Sequence, residues 1–322
     1  MSSAMPCHDP LPDPITATVC VCTMRRPESL RRLLGSLSAQ VSEADSPLPP
    51  FEVVVVDNDA DGSAAGIVEE FSTDLSLRYA IEPQRGLATA RNACVRRARG
   101  EFLAFVDDDE IVVPTWLSAL HRSISESAAD AVFGTVAIEF DGPVRESVRL
   151  CRFFQDRVAI AGAVVPWYFT KTGNAYVRRS SLPCQEEPFR ARFDRTGGED
   201  IDLFQRMAAA GALFVAADAA ARATEHRAGE RATVSWALRR SLRNGGNLAD
   251  LQWQGYGLGK RWLLAARGVV ATPWHALRGL LHLRRSRLYA FERCLDIAEN
   301  VGRFLSLCGY RYPEYDMGRD GN

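Results

Sequence analysis

Twice in its first third the chain runs through a continuous apolar stretch that ends abruptly in acids. Phe51 to Val56 leads into Asp57, Asn58, Asp59 and Asp61, and EFLAFV (Glu101 to Val106) leads into Asp107, Asp108, Asp109 and Glu110. Uninterrupted runs of this length suit strands covered on both faces, hence a mostly parallel sheet. The acids then stand at strand carboxyl ends, where such sheets bind ligands.

The surrounding sequence fits that frame. Ile15 to Thr23 reads as a first strand, and Leu30, Leu33, Leu34 and Leu37 recur at helical spacing just after Pro27. LRYAI reads as a third strand, followed by the helix LATARNACVRRAR, stopped by Gly100. Beyond a helix near Trp116 to Glu126 come a strand (AVFGTVAIEF), an irregular stretch to Lys171, a short GNAYVRR segment, and the helix EDIDLFQRMAAA ended by Gly211. From about Ser235 the chain turns helical and basic. Alternating strands and helices predict an α/β fold with right-handed crossovers. In 322 residues, 47% apolar side chains suffice for one large domain, or for one domain plus a helical appendage.

Net charge of -1 gives no global field for nucleic acid, so no nucleic-acid partner is expected. The eight cysteines, Cys7, Cys20, Cys22, Cys94, Cys151, Cys184, Cys294 and Cys308, show no CxxC pair and read as reduced thiols. The Pro-rich, acidic start resembles neither a secretory signal nor a membrane span, so the expected setting is cytoplasmic.

Four adjacent carboxylates repel one another unless a cation sits among them, and oxygen ligands suit Mg2+ or Mn2+ better than zinc. Alternate residues reach the same side, so Asp107 and Asp109 are candidates for the metal or its waters while Asp108 faces a ribose or another partner. The alternative is a solvated acidic turn capping the next helix; the position after an apolar strand favours the metal.

TVCVCTMRRPESLRRLLGSL, VVVVDNDADGS, QRGLATARNAC, FLAFVDDDE and GGEDIDLFQRM, in this order over roughly residues 15 to 245, resemble family 2 glycosyltransferases, which have the GT-A fold. Within that family the likeness is to succinoglycan-type exopolysaccharide glucosyltransferases, through VVVVDNDADGS, VDDDE, TGNAYVRRS and EHRAGERATVSW. The resemblance implies a metal-dependent inverting transferase that moves a sugar, glucose by analogy, from a UDP-sugar to an acceptor glycan, polyprenyl-linked in many polymer-building relatives. It implies nucleotide binding at Thr23 and Asp57, and a metal held against the donor diphosphate by Asp107 and Asp109. The catalytic base falls in the pair Glu199-Asp200, with Asp200 preferred and Glu199 second. Acids in a first helical turn also simply complement the helix dipole.

Gly86 permits a tight turn that brings Arg85 or Arg91 toward the donor. Against this, helix arginines are usually solvated, and Asn92 can simply bond neighbouring backbone. His226 completes the metal or diphosphate site in some relatives, although a lone histidine is more often packed or on the surface. Gly173 and Asn174 resemble the acceptor-side segment, and Trp167 and Tyr168 are candidates for stacking on sugars unless they belong to the core.

The expected organisation is a disordered tail over 1–14, a GT-A domain over 15–245, and a helical basic region over 246–322. That last region mixes Trp, Leu and Arg. It suits a helix on an anionic membrane surface, at the inner face of the cytoplasmic membrane, or equally a subdomain packed on the core. Two other functions use a similar α/β sheet. A sugar-nucleotide pyrophosphorylase needs a glycine-rich phosphate loop where this chain has MRRPES. A non-catalytic sugar-nucleotide or glycan binder has no need of the Glu199-Asp200 pair.

Overall fold

The computed structural model describes residues 15–43, 45–155, 160–228, 232–253, 256–282, 286–310 and 312. The tail expected over 1–14 lies outside the described residues. In chain order the elements are β1 (Ala17–Thr23), α1 (Pro27–Ser38), β2 (Phe51–Asp57), α2 (Ala65–Glu70), β3 (Leu77–Ile81), α3 (Leu87–Arg97), β4 (Phe102–Phe105), β5 (Glu110–Val112), α4 (Trp116–Ser125), β6 (Ala131–Phe133), β7 (Val136–Asp141), α5 (Glu146–Arg149), β8 (Ala175–Arg178), α6 (Glu199–Ala209), β9 (Phe214–Ala216), β10 (Ala223–Ala228), α7 (Val234–Gln252), α8 (Leu258–His282) and α9 (Arg287–Leu307).

Seven strands form one sheet in the order β3-β2-β1-β4-β8-β6-β9. It is mostly parallel, as the apolar runs require; β8 alone opposes its neighbours β4 and β6. The alternation of the pleat divides each central strand between two cores. Val19, Val21, Val53 and Val55 face the leucines of α1 and Trp116, Leu117 and Leu120 of α4. Cys20, Val54, Val56 and Phe105 face Ala90 and Cys94 of α3 and Leu203, Phe204 and Met207 of α6. Register places Thr23 beside Asp57, so both finish at the sheet's carboxyl edge, level with the turn that follows β4.

AVFGTVAIEF is two strands and not one: β6 belongs to the large sheet and β7 to a second, three-stranded sheet ordered β5-β10-β7. The change of sheet falls at Gly134, where a β-carbon would lie 2.1 Å from the Ala221 carbonyl oxygen. β10 pairs antiparallel with β5 and parallel with β7, which places His226 within a strand.

The expected boundary at 245/246 falls inside α7. α9 packs on both α7 and α8. Where α7 and α9 cross, the backbones touch: a β-carbon on Gly245 would sit 2.0 Å from the Glu299 carbonyl oxygen, and one on Gly302 1.8 Å from that of Leu242. Ala237, Phe291 and Leu295 of this bundle form one core with Val148, Cys151 and Phe154, joined by Ile138 and Phe140 of β7. The C-terminal region is thus packed on the sheets through α7 and α9.

Candidate active site

The turn after β4 gathers the acids. Asp107 is half-exposed and accepts a hydrogen bond from Arg91 Nη2 at 3.2 Å. Asp108 is buried, accepting from Thr23 Oγ1 at 2.8 Å and Arg26 Nη1 at 3.0 Å, while Asp109 accepts from the same Arg26 nitrogen at 3.2 Å. Glu110 turns back, its Oε2 accepting from the Asp107 amide at 3.1 Å. Thr23 and Arg26 thus both hold the Asp108 carboxylate.

Burial, reinforced by Asp107 and Asp108, pushes the Asp109 carboxyl up to about 7. Burial and then Asp107 hold Glu110 well above the usual carboxylate range. Such crowding is what a divalent cation relieves. Among the described residues no three His, Cys, Asp or Glu side chains surround a common point. A cation held by Asp107 and Asp109 would have to take its other ligands from phosphate and water, as Mg2+ usually does. Gly173 keeps that space clear: a β-carbon there would lie 2.9 Å from Glu110 Oε1 and 3.2 Å from Asp107 Oδ2. The His226 amide donates to the Asp109 carbonyl at 3.0 Å, but its ring lies beside Glu139 and Asp141, at 3.9 and 3.8 Å.

The second acidic pair opens α6 after two glycines, Gly197 and Gly198, with φ of 68° and 94°. Left-handed backbone at both positions favours glycine. Glu199 is buried and accepts from Arg91 Nη1. Asp200 is half-buried; its Oδ1 accepts from the Ile201 amide at 2.8 Å. Arg91 thus links Asp107 of the first cluster to Glu199 of the second. Its guanidinium is engaged by both protein carboxylates.

Arg91 is positioned by a remote cap. Asp194, in the loop before Gly197, accepts from the Thr89 amide at 3.0 Å and the Thr89 hydroxyl at 2.7 Å, in the first turn of α3. The approach is so close that a β-carbon on Gly86 would fall 2.1 Å from the Asp194 carboxyl carbon. Asn92 exchanges hydrogen bonds with the Phe189 backbone at 2.7 and 2.9 Å, so it does serve neighbouring backbone. From the other side, the Asn247 amide of α7 donates to the carbonyls of Thr196 and Gly197 at 3.1 and 2.9 Å.

Asp57 is fully enclosed. Its carboxylate accepts from the amides of Asp59 and Ala64 at 3.0 and 2.7 Å and from the Tyr79 hydroxyl at 3.0 Å, so it organises the loop after β2. Arg85 is half-buried just before Gly86. Asn174, at φ 62°, is also enclosed. It accepts from Trp116 Nε1 at 2.8 Å and donates to the carbonyls of Thr135 and Ala221, both at 2.9 Å. It shapes the sheet junction. Trp167 packs on the α6 side of the core, whereas Tyr168 and Phe169 are half-exposed.

Sequence reasoning missed Arg26, Asp194, Asn247 and Phe169. Only Arg26, immediately after β1 and level with the acids, carried a local signal.

The sequence description of glycosyl transferase family 2 matches residues 18–199, more than half of the chain. The chain is 33% identical to succinoglycan biosynthesis protein ExoM of Rhizobium meliloti (strain 1021) over 255 residues, covering 77% of this chain and 79% of that one. Its fold is similar to that of the mannosyltransferase PcManGT from Pyrobaculum calidifontis, solved with GDP-Man and Mn2+ (TM-score 0.58, 20% identity, 89% of this chain and 86% of that one). It is also similar to TarS residues 1–349 from Staphylococcus aureus, solved with UDP-GlcNAc (TM-score 0.52, 19% identity, 87% and 90%). With the strand order and the two acidic segments, these likenesses identify the sheet as a GT-A fold, and the chain belongs to glycosyl transferase family 2.

Proposed function

We propose that this glycosyltransferase moves a sugar with inversion from a nucleoside diphosphate donor to a hydroxyl of an acceptor glycan, in the assembly of a surface polysaccharide. The observation that carries the reading is the Arg91 bridge, which brings the strand-end carboxylates and the Glu199-Asp200 pair to one site. A cation held by Asp107 and Asp109 would bind the donor diphosphate and stabilise it as leaving group. Asp200 is the base. Glu199 is paired with Arg91, whereas Asp200 remains half-exposed and able to take a proton from an attacking hydroxyl. Attack on the anomeric carbon from the face opposite the diphosphate gives inversion. Tyr168 and Phe169, upstream of Gly173, offer apolar faces on which an acceptor sugar can stack.

Similarity to ExoM supports exopolysaccharide synthesis, and the TarS complex supports a UDP-sugar; UDP-glucose is the donor we assign. Calorimetry with uridine, guanosine and thymidine diphosphate sugars, with Mn2+ or Mg2+ and then with chelator, tests the donor site. Metal-dependent binding of one UDP-sugar is expected; no binding under any condition would sink the reading. Asp200→Asn is expected to bind that donor normally and transfer at least about a hundredfold more slowly. Parent-like turnover by this variant would remove Asp200 from the mechanism.

A further inference from the structure

The polarity of α8 is inverted relative to an ordinary surface helix. Its inner face, against α9, packs mainly by small residues, with Ala265 and Gly279 buried and Gly268 close to Asn300, joined by Leu264 and by His275 beside Asp296. Its outer face carries large apolar side chains: Leu258, Val270, Leu280 and Leu281 are 72%, 77%, 71% and 68% exposed, Trp274 is open to solvent, and Trp262 keeps nearly half its surface exposed while one edge meets Phe304 of α9. At 3.6 residues per turn these positions cover an arc of about 160°. A helix that leaves most of its large apolar residues in water presents an apolar patch that calls for a partner.

Charge identifies that partner. α8 contains Lys260, Arg261, Arg267 and Arg278 and no acidic residue. On the helical wheel Lys260, Arg267 and Arg278 line one border of the apolar arc, and Arg278 lies over the Trp274 ring at 5.6 Å. A second copy of the chain would set these cations against one another. An anionic bilayer surface satisfies both features, taking the apolar arc among acyl chains and the cations among phosphates. No helix among the described residues is long and apolar enough to cross a membrane, which leaves α8 to lie in the plane of the interface.

We propose that the outer face of α8 docks the protein onto anionic phospholipid bilayers. The bundle that presents this face also holds the catalytic loop through Asn247, so docking sets the active site at a fixed distance from the lipid surface. Flotation of the full-length protein with vesicles of phosphatidylcholine alone, or with one third phosphatidylglycerol, tests this. Binding only to the anionic vesicles, weakened by salt, is expected. So is quenching of tryptophan fluorescence by brominated lipid, which Trp262→Phe with Trp274→Phe should abolish. Lys260→Glu, Arg267→Glu and Arg278→Glu together should lower partitioning roughly a hundredfold while leaving donor binding at parent level. A separate variant, Val270→Asp with Leu280→Asp, should fail to float yet still bind donor. The proposal is overturned if the parent does not bind anionic vesicles or binds both kinds alike. It is also overturned if sedimentation shows a dimer that the Val270→Asp, Leu280→Asp variant dissociates, which would assign the face to a second copy.

Discussion

A guanidinium enclosed between Asp107 and Glu199 keeps two carboxylates close together that would otherwise repel. Arg91→Met would leave Glu199 buried and unpaired by this cation, so a loss of about 3–5 kcal/mol in urea unfolding is expected. Arg91→Lys preserves charge but not the two-pronged geometry, and should keep much of the stability while losing most transfer activity. The fate of Arg91 was not legible in the sequence, because nothing local distinguishes a helix arginine turned inward from a solvated one. The acids were legible because strand ends announced them. At His121, burial lowers the pKa from its ordinary value of 6.5. The unfolded chain then takes up a proton that the folded chain refuses, so stability falls as pH drops below that value. Denaturation midpoints at about pH 7.5 and about pH 5.5 should differ less for His121→Gln than for the parent.

α3 illustrates how an element depends on distant sequence. Its first turn is satisfied by Asp194, more than a hundred residues away, and not by a capping side chain of its own. Asp194→Ala should cost about 1–2 kcal/mol in thermal unfolding and reduce transfer by loosening Arg91, whereas Asp194→Asn should retain most of both. The strands β1, β2 and β4 could be read directly because burial on both faces leaves an unbroken apolar record. β10 could not: ATEHRA alternates charge and polarity like a loop, and becomes a strand only because β5 and β7 supply its partners. AVFGTVAIEF hid a change of sheet at Gly134 for the same reason, since the obstruction there comes from Ala221 and Asn174. The hydrogen-bond partners of Asn174 lie on three other segments, so nothing next to it in the sequence announces them.

On the scale of the molecule, catalytic sheet and C-terminal bundle form one mechanical unit. Asn247→Ala removes the α7 support from the loop before Glu199, and should lower kcat more than it raises the donor KM, as steady-state kinetics would show. Ending the chain after residue 245 would cut α7 in mid-helix and expose the core it shares with α9; no transfer activity is expected from such a protein, and circular dichroism should show lost helix. The crossing of α7 and α9 at Gly245 and Gly302 bears on heredity as well. Backbones in contact leave no room for a side chain from either lineage, so exchange between related genes preserves the crossing only where both partners carry glycine at these two positions. A recombination joint placed between them unites halves that have never been fitted to each other; one placed ahead of Val234 carries the whole crossing intact.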